Sequence, residues 1–546
     1  MRTRSADPEG RPQGLLWRRP ARIAFVAVLL VFGIFAQRAT ADAGTYTTID
    51  GSGSSWAYIA LSQWITDVAP EGLTINYNPD GSAEGRQDYM QGSQVDFAGS
   101  DPPFRNGDDH LAGTGAEVPK WGYSYVPDTA GGTAFMYHLT VGGKLVRNLR
   151  LNGQVLMEIF TGQITNWDNS AITKIYGAQL PNEPITPVLR SDGSGATYFF
   201  TLWMATEFPS EWNAFCEKVH PGITEPCGNT EFYPQFGDAK MENGSNNVAD
   251  YITASYGEGS IGYDEYAYAQ SSGYPVVQLL NPAGYFVGPT ASNVAVALTK
   301  AQINFDSSSS NYLQQILTPL YTFKDPRNYP LSSYSYLIVP RSGTTEPPTF
   351  NTGAGASLST FINYFLCAGQ KQSASLGYSP LPLALVEGGL RQNGEIPGHV
   401  AIANVKSYSS CPNPTFTNGV LTVLKDAPQP SPCQKYGEPL NCTVENGKAV
   451  AGSGSGSSGS SGSGSKGSSG SNGGGGSTAT GGSTTAAGTG PTTGAANVSA
   501  SVVNIGDNGT DRALLAVLTA LALIAAVATP PAVGSWLRRR KRQAGA

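Results

Sequence analysis

The chain has 546 residues, 67 of them glycine, only 14% charged, with a net charge of −6. A mildly acidic chain lacks the basic field that nucleic acid requires, so nucleic-acid binding is excluded as a main role, and any anion must be attracted by local groups. Setting the two ends aside leaves about 400 residues, which implies two lobes or domains rather than one core.

Residues 1–43 read as a secretory signal peptide. Arg18, Arg19 and Arg22 precede the apolar run Ile23 to Phe35, and Ala39-Thr40-Ala41 and Ala41-Asp42-Ala43 offer small-residue cleavage sites. The run is short for a membrane anchor, so cleavage is expected near Ala43.

The body, residues 44–450, alternates strand and helix patterns. Tyr46 to Asp50 is a short strand ending in Gly51-Ser52-Gly53-Ser54-Ser55-Trp56. A helix follows, with Ile59, Leu61, Trp64, Ile65 and Val68 on or near one face. Leu73 to Tyr77 is a second strand, running into Asn78-Pro79-Asp80-Gly81-Ser82-Ala83-Glu84-Gly85 and a helix through Met90. Val95 to Pro103 is a short strand with an acid, Asp101, at its end. Leu156 to Trp167 reads as a helix and turn, and Ile185 to Leu189 as a strand. Gly259 to Ala269 is a tight strand-to-helix passage. Ser335 to Val339 is a clear strand, Leu358 to Ala368 has helical spacing, and Gly377 to Pro382 looks like a closing loop. This alternation implies α/β layers.

Arg190 to Phe200 carries the most chemistry. Its two glycines allow close backbone approach to a ligand, and the helix start at Thr197 would present free N–H groups and a favourable dipole. Ser194 adds a hydroxyl, and Arg190 adds a forked cation matched to tetrahedral oxyanions, with Asp192 near enough to hold it. Taken alone, the stretch is better read as a Gly-Ser turn with a surface Arg–Asp pair. Four strand-end turns rich in Ser, Gly and Asp make that reading less comfortable, because strand ends of α/β sheets are where small ligands bind.

Six cysteines, Cys216, Cys227, Cys367, Cys411, Cys433 and Cys442, show no zinc or redox spacing, and no metal or cofactor is expected. In an exported chain they read as disulfides. Cys216 with Cys227 and Cys433 with Cys442 are the closest pairs, leaving Cys367 with Cys411, although sequence leaves the connectivity open.

Residues 451–512 form a linker whose Gly, Ser and Thr cannot bury enough surface to fold. A coil of about 50 residues reaches roughly 40 Å end to end, suiting a tether. Residues 513–537 are almost free of charge and long enough to span a bilayer, though Pro530-Pro531 interrupts them. The basic tail 538–546 should stay cytoplasmic, with the body outside.

With these residues in view, the body resembles the PstS family, the phosphate-binding subunit of the bacterial phosphate ABC importer. The resemblance runs with gaps from about Thr45 to about Glu387. It rests on Gly51 to Trp56, Val95 to Pro103, Leu156 to Ile172, Arg190 to Phe200, Gly259 to Ala269 and Tyr329 to Pro340. It implies a two-lobed periplasmic-binding-protein (type II) fold with a hinge, lobe 1 about 44–133 and 300–450 and lobe 2 about 134–299. To this the chain would add one C-terminal transmembrane helix.

The phosphate ligands carried over are Ser55, Trp56, Ser82 and Asp101 in the first lobe and Arg190, Ser194, Gly195 and Ala196 in the second, with Asp192 supporting Arg190. Trp56 stands where Phe is usual, and Ala196 where Thr is usual, so a hydroxyl donor is missing. No Cys stands at the cleavage site, so the family's common lipid anchor is absent. The resemblance further implies inorganic phosphate and an ABC permease as partners and no catalysis; a monomer is expected, and the apolar stretch 513–537 implies a single-pass membrane location. Two alternatives stay open: a tethered surface or sensory protein not coupled to import, and an extracellular phosphatase. For the latter, Gly193-Ser194-Gly195 lacks the Gly-x-Ser-x-Gly spacing and the four histidines have no metal spacing. Gly388 to Val450 carries no functional reading.

Overall fold

The computed structural model describes residues 46–451, apart from 93, 114, 224 and 225. The expected signal peptide, nearly all of the Gly/Ser linker, the expected transmembrane helix and the basic tail lie outside the described residues. Among the described residues no helix is long and apolar enough to cross a membrane.

Eight strands build the main sheet: β1 (Ile49–Gly53), β2 (Ile75–Asn78), β3 (Phe97–Ser100), β4 (Tyr123–Tyr137), β5 (Thr186–Arg190), β6 (Lys240–Glu242), β7 (Ser260–Glu265) and β8 (Ser332–Pro340). Their order is β2-β1-β3-β8-β4-β7-β5-β6. β1 runs parallel to β2 and β3, and β5 runs parallel to β6 and β7. β4 belongs to both groups. Its first part pairs antiparallel with β8, with Val126 opposite Leu337. Its last part pairs antiparallel with β7, with Met136 opposite Gly262. The sheet thus holds two parallel groups, β1, β2 and β3 at one side and β5, β6 and β7 at the other, joined through β4 and β8; with their helices they are termed the first and second lobes.

The strand β1 corrects the expectation that the chain turns at Gly51. Gly51 and Ser52 instead pair with Phe97 and Ala98 of β3. The glycines make this possible. The Phe97 ring lies over Gly51, and at Gly53, with φ at 126°, an added Cβ would sit 2.0 Å from the Gly99 carbonyl oxygen. The strand therefore delivers Ser54 and Ser55 directly from its C-terminal end.

Five helices position the site: α1 (Tyr58–Val68), α2 (Ser82–Gln91), α3 (Gly195–Glu207), α4 (Gly244–Thr253) and α5 (Tyr266–Ser272). α1 buries Leu61, Trp64 and Val68, and Trp64 stacks on Phe365 with ring centroids 5.5 Å apart. In the second lobe Phe135, Phe160, Phe200 and Tyr263 pack as one aromatic cluster, with centroids 5.0 to 5.7 Å apart. Each such buried ring contributes roughly 1.5–3 kcal/mol, which fixes the strand ends the turns hang from.

All three disulfides form, Cys216 with Cys227, Cys367 with Cys411 and Cys433 with Cys442. Gly388 to Val450 packs along the body. Thr415 donates to the Leu381 carbonyl, and further on the Arg150 guanidinium donates to the Cys433 carbonyl at 3.1 Å while Lys435 bridges to Tyr285.

Candidate functional site

The strand-end turns converge. Ser54 and Ser55 follow β1, Ser82 opens α2, Asp101 follows β3, Arg190 ends β5, and Ser194 caps α3. Ser55, Ser82, Asp101, Arg190 and Ser194 are all at least nine-tenths buried.

Asp101 is held from its own lobe. Ser54 Oγ donates to Oδ1 at 2.7 Å and Ser82 Oγ donates to Oδ2 at 2.8 Å. Gly195 presses against the same carboxylate from the other lobe, with its would-be Cβ 2.0 Å from Asp101 Oδ2. Only a residue without a side chain fits there, so the carboxylate faces the N-terminal turn of α3. Burial pushes the Asp101 carboxyl up, while the nearby hydroxyls of Ser335, Ser54 and Ser82 and the charge of Arg190 pull the other way.

Arg190 is held by every donor edge. Nε donates to Asp192 Oδ1 at 2.8 Å, Nη1 to Asp264 Oδ2 and to Ser245 Oγ at 3.1 Å each, and Nη2 to Ser55 Oγ at 3.1 Å. The last bond crosses between lobes, as does the 3.2 Å contact of Ser55 Oγ with Ser245 Oγ. Burial disfavours the charged guanidinium, but Asp264 and Asp192 outweigh it and keep Arg190 above its usual value. Asp192 feels the same burial, yet the charge and bonds of Arg190 and the Gly244 N–H hold it below the usual carboxylate range. Asp264 is pushed up by burial. Both acids ion-pair with Arg190, Asp192 through Nη2 and Asp264 through Nη1.

The remaining positions fall into place around these two. Trp56 is buried with its ring edge-on to Phe199 of α3 at 6.4 Å, and its carbonyl accepts from Tyr378. Ser194 Oγ accepts from the Thr197 N–H as an N-cap. Ala196 is fully buried in the first turn of α3. Thr197 does not replace the missing hydroxyl, because its Oγ1 contacts Tyr263 OH at 2.9 Å.

Three residues escaped the sequence reading. Ser54 was legible only as a turn residue, although it is the closest donor to Asp101. Ser245 lies in the first turn of α4 and reads as an ordinary helix start. Asp264 sits inside the strand-to-helix passage, where an acid next to Glu265 carries no distinctive spacing. The usable signal for Ser245 and Asp264 was position: both lie where a sheet strand and its helix meet, at the same sheet end as Arg190.

A family model described as a PBP superfamily domain matches residues 38–368. The phosphate-binding protein PstS of Xylella fastidiosa is 30% identical over 343 residues, covering 62% of this chain and 83% of that protein. PstS of Pasteurella multocida is 29% identical over 366 residues, covering 66% of this chain and 92% of that protein. Among solved structures, a high-affinity periplasmic phosphate-binding protein bound with phosphate aligns at 17% identity with a TM-score of 0.46, covering 68% of this chain and 99% of that one. By its family-model match and its curated relatives, the chain belongs to the PstS family within the PBP superfamily.

Proposed function

We propose that this chain is an extracytoplasmic solute-binding protein that captures inorganic phosphate between its two lobes and delivers it to an ABC permease. The observation that carries this reading is the pairing of an anchored cation with an opposed acceptor. Arg190 is fixed by Asp192, while the carboxylate of Asp101 faces the N-terminal turn of α3.

A small anion loses its water on capture, so each of its oxygens needs a donor. The hydroxyls of Ser55, Ser82 and Ser194, the N–H groups at Trp56, Gly195 and Ala196, and the Arg190 guanidinium would supply them, the Ser82 hydroxyl turning from Asp101 and Arg190 Nη2 from Ser55 to do so. Asp101 then sets selectivity. It accepts a hydrogen bond from a protonated phosphate oxygen, whereas sulfate has no proton to offer at neutral pH and meets like charge instead. No bond is made or broken, so the role is binding, not catalysis. Closure of the lobes presents a new surface to the permease. The tract 451–512 and the apolar stretch 513–537 would tether this body to the membrane, taking the place of a lipid anchor.

Calorimetric titration with phosphate and with sulfate tests the reading. One phosphate per chain with no sulfate heat is expected. Equal affinity for the two anions, or no phosphate binding, contradicts it.

A further inference from the structure

Beside the anion site lies a second set of buried charges that spans the two lobes. Arg86 is fully buried on α2, one helical turn after Ser82. Arg105 follows Asp101 by four residues, with its side chain 15% exposed. Both pair with Glu117 of their own lobe: Arg86 Nε donates at 2.7 Å, Arg105 Nη2 at 2.9 Å, and the Arg105 backbone N–H at 2.8 Å. The fourth member, Glu231, comes from the other lobe. Its Oε1 accepts from Arg86 Nη2 at 2.5 Å and from Arg105 Nη1 at 2.8 Å, and the residue is 2% exposed. Its backbone carbonyl accepts the Ser194 N–H at 2.9 Å.

The four charges are thus wired to three ligand turns at once, those of Ser82, Asp101 and Ser194. The surrounding contacts have the same character. Thr230 Oγ1 donates to Asp109 Oδ2 at 2.7 Å across the same seam, and the Arg105 guanidinium lies 5.8 Å over the Phe232 ring.

We propose that Glu231 is a positioning residue that latches the closed state and so sets how long phosphate is held; this rests on the phosphate-binding reading above. When the lobes part, Arg86 and Arg105 keep Glu117, but their lobe retains one uncompensated positive charge, and Glu231 leaves for water. The two Arg–Glu231 bonds therefore exist only in the closed form. Charge-assisted bonds in a dry seam are strong, and losing one partner of a buried set is costly because the rest stays desolvated. In the open form the same groups regain water, so the cost of removing Glu231 falls on closure alone. A ligand that binds the closed form is weakened in proportion to the lost closed population, and the loss shows in its escape rate.

Glu231→Gln isolates the charge. Oε1 is retained as acceptor, and Oε2 has no hydrogen-bond partner among the described residues, so the amide nitrogen replaces it without breaking a bond. Stopped-flow kinetics of phosphate on the full chain should show release at least about tenfold faster, with the association rate within about twofold of wild type. The melting temperature without phosphate should be unchanged, and that with phosphate should fall. Arg105→Gln, at a position whose side chain is 15% exposed, provides a milder second variant that should act in the same direction. Its effect should be less than additive with Glu231→Gln. The latch is overturned by a release rate within twofold of wild type, by an equal fall in the melting temperature of the free chain, or by strict additivity. A wild-type chain that binds no phosphate instead sinks the function proposed above, and the latch with it.

Discussion

Asp101 and Gly195 meet across the cleft with no room between them for a side chain: a Cβ on Gly195 would lie 2.0 Å from Asp101 Oδ2. One belongs to the first lobe and the other to the second, so their contact measures closure. Gly195→Ala should leave the lobes individually folded but unable to close. A forced methyl in a packed seam costs roughly 1–3 kcal/mol, equivalent to about a 5- to 150-fold loss of phosphate affinity. Calorimetry gives the affinity, and thermal unfolding without ligand should be unaltered. Unchanged affinity would mean that the site is occupied with the lobes apart.

Asp101→Asn replaces a pure acceptor by a group that can also donate. Phosphate binding should weaken while sulfate binding appears, narrowing the discrimination between them by about tenfold or more, as loss of a polar acceptor in a buried site implies. Paired titrations check this. Selectivity equal to wild type would remove Asp101 from the selecting role.

Ser245 is tied to both Arg190 and Ser55, at 3.1 and 3.2 Å. Ser245→Ala should cost about 1 kcal/mol, roughly a fivefold loss in phosphate affinity, without changing selectivity, since it touches the cation and not the acceptor. A change in the phosphate-to-sulfate ratio would place Ser245 in direct contact with the ligand.

Asp128 and Glu265 predict a pH dependence of stability. Both are buried, and burial holds both well above the usual carboxylate range, with Asp264 adding to the effect at Glu265 and Asp101 at Asp128. A raised folded pKa gives a contribution that is full below the unfolded value of about 4 and is lost as pH rises through the folded value. Glu265→Gln and Asp128→Asn should therefore be more stable than wild type at pH 8, by about 1.4 kcal/mol for each pKa unit relieved, with no gain at pH 4. Asp192 opposes this at the acid end: its folded pKa is depressed, so its contribution is lost as pH falls through that value. Urea unfolding across the pH range separates the two. Parallel curves for variants and wild type would contradict the assignment.

Cys367 and Cys411 close a span of 44 residues and fasten the segment beyond Gly388 to the end of the helix Thr352–Leu366. Replacing both by alanine should destabilise the chain by roughly 3–4 kcal/mol while leaving the phosphate affinity of the folded fraction intact. Denaturant titration under non-reducing conditions measures the loss.

The ligand turns were legible in sequence because they combine local features: a short strand, then Gly, Ser and Asp, then a helix start. The turns that hold Ser55, Ser82, Asp101, Arg190 and Ser194 were marked in this way, the individual residues of the first lobe came from the resemblance to the PstS family, and the five lie together in the structure. What was not legible is what depends on distant packing. β4 was invisible: it is buried on almost its whole length, so it shows no alternation, and Pro127, Asp128, Gly131 and Gly132 within it read as turn residues. Asp264 and Ser245 gain meaning only because β7 and α4 lie beside the end of β5. Glu231 likewise stands in an irregular stretch with nothing to mark it until Arg86, 145 residues earlier, is brought within hydrogen-bonding range.

The most direct test of the account is a crystal structure of the chain grown with phosphate. The account predicts one tetrahedral anion between the lobes, touching the Arg190 guanidinium and the N–H groups at the start of α3, with one oxygen within hydrogen-bonding distance of Asp101. An anion bound elsewhere, or one contacting Arg190 with Asp101 turned away, would contradict it.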